Sequence, residues 1–128
     1  MTTTSPTFRN LAPTGLVAGV VAAVATTAVA AIAQAADVDL EVDGTAIPLA
    51  AFAWWTVVGA VLGIVLARVL GSARRFAVVA AAITVVSLVP AIALPDDGAT
   101  KAVLVGVHLL AAVIVIPALA RKLPTTTG

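Results

Sequence analysis

The sequence predicts an all-α membrane protein: an antiparallel, up-down four-transmembrane-helix bundle with a short extracellular β-hairpin between helices 1 and 2. Three observations predict this fold. Of the 128 residues, 62% are hydrophobic and only 10% are charged, whereas about a quarter of a soluble domain is charged. The apolar residues form four stretches, each long enough to cross the ~30 Å hydrocarbon core as a helix. The charges lie mainly between these stretches and sort there by sign.

Four apolar stretches are the predicted spans, because in lipid each backbone polar group must be satisfied within its own helix. They cover residues 11–36, 49–70, 76–94 and 99–120. Together they form one transmembrane domain over residues 11–123, between polar, cytoplasmic tails at residues 1–10 and 124–128. We expect these Thr-rich tails to be disordered.

The first span has two interpretations. Arg9, a long apolar run and the triplet Ala33-Gln34-Ala35 resemble a secretory signal peptide with its cleavage site. The run over residues 11–36 is longer, however, than the roughly 7–15 apolar residues of a signal peptide. We therefore expect a retained helix, with cleavage as the alternative.

The loop after the first span is the one connection with room for its own structure. Its sequence VDLEVD alternates apolar and acidic residues up to the dipeptide Asp43-Gly44. Such alternation before Asp-Gly predicts a β-hairpin with a tight turn. Because an isolated hairpin is marginal in water, we expect this one to lie on the helix ends or on a partner chain.

The two remaining connections are short turns, which favour antiparallel neighbouring helices. Gly71 is expected to end the second helix, and Ser72 to cap the third. The outer turn from Pro95 to Gly98 contains acidic residues, which suit the positive N-terminal end of the fourth helix.

The charge distribution predicts the orientation. Six of the seven basic residues precede the first span, connect the second to the third, or follow the fourth: Arg9, Arg68, Arg74, Arg75, Arg121 and Lys122. All six acidic residues lie in the other two loops, together with Lys101. The positive-inside rule therefore predicts that both termini lie in the cytoplasm. We expect the chain to be a multi-pass protein of the cell (plasma) membrane.

Aromatic residues are expected to anchor the helices at both interfaces. Phe52, Trp54 and Trp55 form the predicted outer belt. Phe8 and Phe76, each beside an arginine, form the inner one. Anchoring at the membrane interface accounts for the positions of these five aromatic residues, so no bound ligand is needed to explain them.

Polar side chains inside the spans are the candidate functional or buried polar residues: His108, Ser87, Thr84 and Thr56. Together with Thr26, Thr27 and Gln34, the hydroxyl residues are expected to form interhelical hydrogen bonds of about 0.6 kcal/mol each. His108 allows two hypotheses. A neutral imidazole could bond a neighbouring helix, for example a carbonyl near Ser87 that Pro90 disturbs. Alternatively, it could sense protons, bind a ligand or ligate haem.

Two small-xxx-small patterns are candidate helix-packing sites. Gly15 and Gly19 form the first, and Gly59 and Gly63 form the second. Small residues at this spacing let two helix backbones approach closely. The partner helix could belong to the same bundle or to a second copy of the chain.

Several function classes are excluded by composition. The chain has no cysteine, so it forms no disulfide, thiol nucleophile or Cys-ligated metal site. It contains no catalytic constellation and no phosphate-binding glycine loop, and its basic residues are too few for nucleic-acid binding. We expect no enzyme activity, cofactor or metal. The expected partners are the lipid bilayer and either a homo-oligomer or another membrane protein.

Five motifs spread over residues 11–123 carry a family resemblance. They are Ile47-Pro48 with Phe52, the run GAVLGIVLARVL from Gly59 to Leu70, Arg74-Arg75-Phe76, Leu88-Val89-Pro90, and His108 with Pro117 to Arg121. In these motifs the chain resembles a family of small actinobacterial four-helix integral membrane proteins, a domain of unknown function. The resemblance implies the fold but no activity, ligand or catalytic residue.

Two function hypotheses follow. The first is a non-enzymatic structural or accessory membrane protein that self-associates or serves a partner. The second is a small transporter or channel subunit with a path past His108. An oligomeric pore should place Thr26, Thr56, Thr84 or His108 around a wet cavity, whereas an accessory bundle should be dry inside.

Overall fold

The computed structural model describes residues 8–125, and the side chains of residues 11–125. Within this range it contains four helices and two short strands: α1 (Phe8–Ala35), β1 (Glu41–Val42), β2 (Thr45–Ala46), α2 (Leu49–Leu70), α3 (Ala73–Ala93) and α4 (Gly98–Ala120). All four helices are long and apolar enough to span a membrane. The predicted fold is confirmed, including the hairpin between the first two helices.

The observed helix boundaries differ slightly from the predicted ones. Both α1 and α3 begin three residues earlier than predicted, at Phe8 and Ala73. Residues 8–10, assigned from the sequence to the N-terminal tail, are therefore helical. The rest of that tail and residues 126–128 lie outside the described residues.

Helix α1 is the most buried of the four helices. It packs most extensively against α2 and then against α4, whereas α3 packs chiefly on α4. Two apolar clusters hold the helices together, one at each end of the bundle. Following the predicted orientation, we label the end with the hairpin outer and the end with the α2–α3 turn inner. The inner cluster includes Leu11, Ile64, Phe76 and Leu119, and the outer cluster joins α1, α2 and α4 to the hairpin loop.

Close approach of α1 and α2 depends on two glycines of α1. A Cβ atom at Gly19 would lie 2.7 Å from the Cβ atom of Ala60, and one at Gly15 would overlap Ile64. These distances are shorter than any normal carbon–carbon contact. Glycine is therefore required at both positions for the observed helix separation.

The hairpin has the predicted antiparallel register, with Glu41 opposite Ala46 and Val42 opposite Thr45. Asp43 and Gly44 both have positive φ angles, 52° and 75°, as a two-residue turn of type I′ requires. Leu40, just before the hairpin, is fully buried in the outer cluster. The expectation that the hairpin loop lies on the helix ends is confirmed.

The inner turn between α2 and α3 is built as predicted. Gly71 ends α2 in the left-handed conformation, with φ of 72°. The hydroxyl of Ser72 caps α3 by accepting a hydrogen bond from the backbone N–H of Arg75 at 3.2 Å. The segment after α4 also contacts this turn, because the carbonyl of Pro124 accepts from the backbone N–H of Ala73 at 2.9 Å.

The predicted aromatic belts are wrong at two positions. Phe52 and Phe76 are only 7% and 0% exposed, and both belong to the apolar clusters. Trp54 and Trp55 are 63% and 66% exposed on the outer part of α2, where a belt is expected. The side chain of Phe8 lies outside the described residues.

Candidate functional site

The polar residues of the four spans lie at similar depths. Thr26 and Thr84 are nine residues from the outer ends of α1 and α3, Thr56 is seven from that of α2, and His108 is ten from that of α4. At 1.5 Å per residue, these positions lie roughly 10–15 Å below the outer ends. We call these four residues, together with Ser87, which lies about one turn nearer the outer end of α3 than Thr84, the polar layer.

Thr26 and Thr56 join α1 to α2. Thr26 is only 1% exposed, and its Oγ1 atom lies 3.0 Å from that of Thr56. Thr56 donates its own proton to the carbonyl of Phe52 at 2.5 Å. The Thr26 hydroxyl also lies 3.3 Å from the carbonyl of Ala23, to which it donates within α1, so its single proton is shared between that carbonyl and the Oγ1 atom of Thr56.

The other hydroxyl groups do not connect helices as predicted. Thr84 donates to the carbonyl of Ala80 at 2.8 Å, and Ser87 donates to the carbonyl of Thr84 at 2.6 Å, both within α3. The Oγ1 atom of Thr27 is buried without a hydrogen-bond partner. The interhelical role expected for these three residues is therefore wrong. Gln34 is exposed at the outer end of α1.

His108 is half-buried on α4 and bonds its own helix. Its Nδ1 atom lies 2.7 Å from the carbonyl oxygen of Leu104, one turn earlier. The predicted bond to a neighbouring helix, including the one to a carbonyl near Ser87, is wrong. Because a carbonyl only accepts, this geometry assigns a proton to Nδ1.

The four candidate packing glycines face different surroundings. Gly15 and Gly19 lie against α2, and Gly63 lies near Val115 and Leu119 of α4. Gly59 is exposed, and a side chain added there would meet no atom within 4 Å. The second small-xxx-small pattern therefore has one glycine inside the bundle and one on its surface.

An acidic cleft of about 480 Å³ lies among the outer loops. Its lining consists of Ala36, Asp37, Val38, Asp39, Glu41, Asp96, Asp97 and Ala99. Over the described range, no group of three or more possible ligands is arranged to hold a metal ion. The cleft gathers negative charge at the outer surface without forming a metal centre.

Asp97 caps α4 at the edge of this cleft. The pKa of its carboxyl is lowered by the side chain of Thr100 and by the backbone N–H of Thr100, which donates to Oδ2 at 3.0 Å. The Thr100 hydroxyl has no hydrogen-bond partner. We therefore attribute its effect on the pKa of Asp97 to the dipole of the hydroxyl group. The carboxylate therefore serves as a helix cap.

A second cavity was not anticipated from the sequence. It is a shallow apolar depression of about 310 Å³ on the exposed face of α3, lined by residues of that helix alone: Val78, Val79, Ala82, Ile83 and Val86. We call it the α3 groove. The lining residues recur at i, i+4 and i+8, a spacing that places them on one helix face. That spacing is visible in the sequence, but α3 is apolar on every side, so nothing distinguishes this face beforehand.

Comparison with known families connects the fold to its relatives. A family model described as a family of unknown function (DUF6069) matches residues 6–125. The chain belongs to this family. The predicted resemblance to a domain of unknown function is confirmed, and the DUF6069 match includes all four helices, the hairpin and the polar layer. No curated protein and no solved structure matches the chain.

Proposed function

We propose that this DUF6069 protein is a non-enzymatic accessory membrane protein that acts by associating with a second copy or with another membrane protein. The observation that carries the proposal is the local bonding of the polar layer. Thr26 pairs with Thr56, while Thr84, Ser87 and His108 bond carbonyls of their own helices. These bonds satisfy polar groups that would otherwise be costly in hydrocarbon.

A transport path past His108 has less support. Proton relays and ion paths commonly use ionisable groups inside the spans, paired or facing a water-filled cavity. Here the acidic residues all lie in the outer loops. The acidic cleft lies among the outer loops, and the α3 groove lies on the exposed face of α3. His108 lines neither of them.

Lateral association has a structural basis in the exposed backbone of two helices. Gly59 on α2 and Gly106 on α4 have open space where a side chain would project. Exposed glycines let a second helix approach the backbone closely, which strengthens van der Waals packing in lipid. The charge distribution supports an orientation with both termini in the cytoplasm, and we take the membrane to be the plasma membrane.

Two measurements on the reconstituted protein test this function. Subunit counting in lipid nanodiscs should give a defined oligomer or a stoichiometric complex with a co-purified partner. For a self-associating protein, Gly59→Leu should lower the stoichiometry without lowering the melting temperature, because the position is open within the protomer. Leu62→Ile, at another exposed position of α2, is the matched control.

Proteoliposome assays of proton and potassium flux separate the accessory role from transport. We expect the parent protein and His108→Gln to give the same leak as protein-free liposomes. Flux from the parent protein that His108→Gln abolishes would refute the accessory role. A strictly monomeric protein with no co-purified partner would refute the association.

A further inference from the structure

Four cations are gathered at the inner end of α3 and α4. Arg74 and Arg75 lie in the first turn of α3, and Arg121 and Lys122 directly follow α4; all four are exposed. The hydrogen bond from Ala73 to Pro124 brings the two pairs together. Leu123, which directly follows Lys122, is buried in the inner apolar cluster and anchors this arrangement.

This end of the molecule has no acidic side chain to balance its cations. All six Asp and Glu residues of the sequence lie in the two outer loops. The N-terminal end of α3, capped by Ser72, adds the positive end of a helix dipole. The inner surface near Arg74 and Arg75 is therefore suited to an anion.

The apolar groove on α3 continues from these arginines along the helix. Val78 and Val79 lie four residues after Arg74 and Arg75, on the same face of α3. The groove extends from there to Val86, which at 1.5 Å per residue is roughly 12 Å. That length fits within one leaflet, about half of the ~30 Å hydrocarbon core.

We propose that this face of α3 binds an anionic phospholipid. The guanidinium groups of Arg74 and Arg75 hold the headgroup phosphate, Arg121 and Lys122 add positive charge, and the groove receives an acyl chain. Arginine suits this role because its planar fork can bind a phosphate through two hydrogen bonds. A soluble phosphate would leave the groove empty. A zwitterionic lipid such as phosphatidylcholine would bring, beside its phosphate, a quaternary ammonium group that the four cations repel.

Lipid titration of the purified full chain in neutral detergent tests the proposal. Phosphatidylglycerol and phosphatidylcholine with identical acyl chains are compared by native mass spectrometry and by melting temperature. The parent chain should prefer phosphatidylglycerol. Arg74→Gln with Arg75→Gln should weaken that preference about fivefold per arginine, the fold-change equivalent to ~1 kcal/mol for each basic residue at an anionic surface. Lys101→Gln, at the outer end, should leave it unchanged.

A second pair of variants tests the groove with the cations intact. Ala82→Trp should fill the groove and weaken phosphatidylglycerol binding, whereas Ala81→Trp, at an exposed position outside the lining, should not. Inorganic phosphate at equal concentration should not raise the melting temperature. The proposal is overturned by a parent without lipid preference, by a double arginine variant that keeps it, by equal binding to both tryptophan variants, or by an equal shift with phosphate.

Discussion

Thr26 and Thr27 are adjacent on α1, yet their hydroxyl groups have opposite energetic consequences. The Thr26 hydroxyl forms a hydrogen bond with Thr56 across the interface with α2, while the Oγ1 atom of Thr27 is buried without a partner. A buried hydroxyl without a hydrogen bond destabilises the fold, because it has lost its bonds to solvent. The pair therefore separates the effect of a satisfied hydroxyl from that of an unsatisfied one.

A double-mutant cycle on Thr26→Val and Thr56→Val should give a coupling energy of about 0.6 kcal/mol, the average for a hydrogen bond between membrane helices. The measurement is the free energy of unfolding in mixed micelles. Thr27→Val is the matched control and should be neutral or stabilising, because it removes an unpaired group of similar shape. A coupling energy near zero would mean that the two threonines do not bond in the membrane.

The polar side chains also show what a sequence predicts poorly. That Thr56, Thr84, Ser87 and His108 lie inside spans follows from their positions, since the spans are visible as apolar runs. Their partners depend on rotamers, because Ser, Thr and His side chains can also reach a carbonyl three or four residues back in the same helix. Thr84, Ser87 and His108 each bond such a carbonyl of their own helix.

At the scale of elements, the packing of α1 on α2 depends on glycine. The Cβ atom of an alanine at position 19 would lie 2.7 Å from the Cβ atom of Ala60, an atom that cannot rotate away. The two helices would have to separate along this part of their interface. Separation also removes packing around the nearby bond between Thr26 and Thr56.

Gly19→Ala should therefore lower the free energy of unfolding by about 1–3 kcal/mol, the usual cost of overpacking. Gly59→Ala is the matched control, because it has open space and should gain about 0.5–1 kcal/mol from lower backbone entropy in the unfolded chain. Melting temperatures of both variants beside the parent measure the difference. Equal effects of the two substitutions would contradict the close contact of α1 and α2.

The hairpin and the inner turn were predictable because short-range chemistry determines them. Asp43 and Gly44 adopt the positive φ angles that a two-residue turn requires, and Gly71 adopts the one that ends α2. The burial of Phe52 and Phe76 was not predictable in the same way. It depends on which helix lies opposite, and four apolar helices give no local signal for that choice.

At the scale of the whole molecule, helix order in space is the feature that sequence reasoning left open. Short connections favour antiparallel neighbours, but they do not indicate that α1 is the most buried helix or that α3 packs chiefly on α4. Small residues explain the burial of α1, since Gly15, Ala18 and Ala22 let other helices approach it closely. One face of α3 stays exposed because this helix packs chiefly on α4.

Orientation in the membrane is the last property of the whole molecule to test. Because the sequence contains no cysteine, a thiol introduced at one position is the only thiol that can react. Single substitutions Thr45→Cys in the hairpin and Gly98→Cys at the start of α4 should react with a membrane-impermeant maleimide in intact cells. Ser72→Cys and Lys122→Cys, at the opposite end, should react only after the cells are permeabilised, which also proves that these thiols are accessible. The physical reason is the excess of basic residues at that end, which keeps it in the cytoplasm. Labelling of Lys122→Cys in intact cells would reverse the orientation and place the proposed lipid site in the outer leaflet.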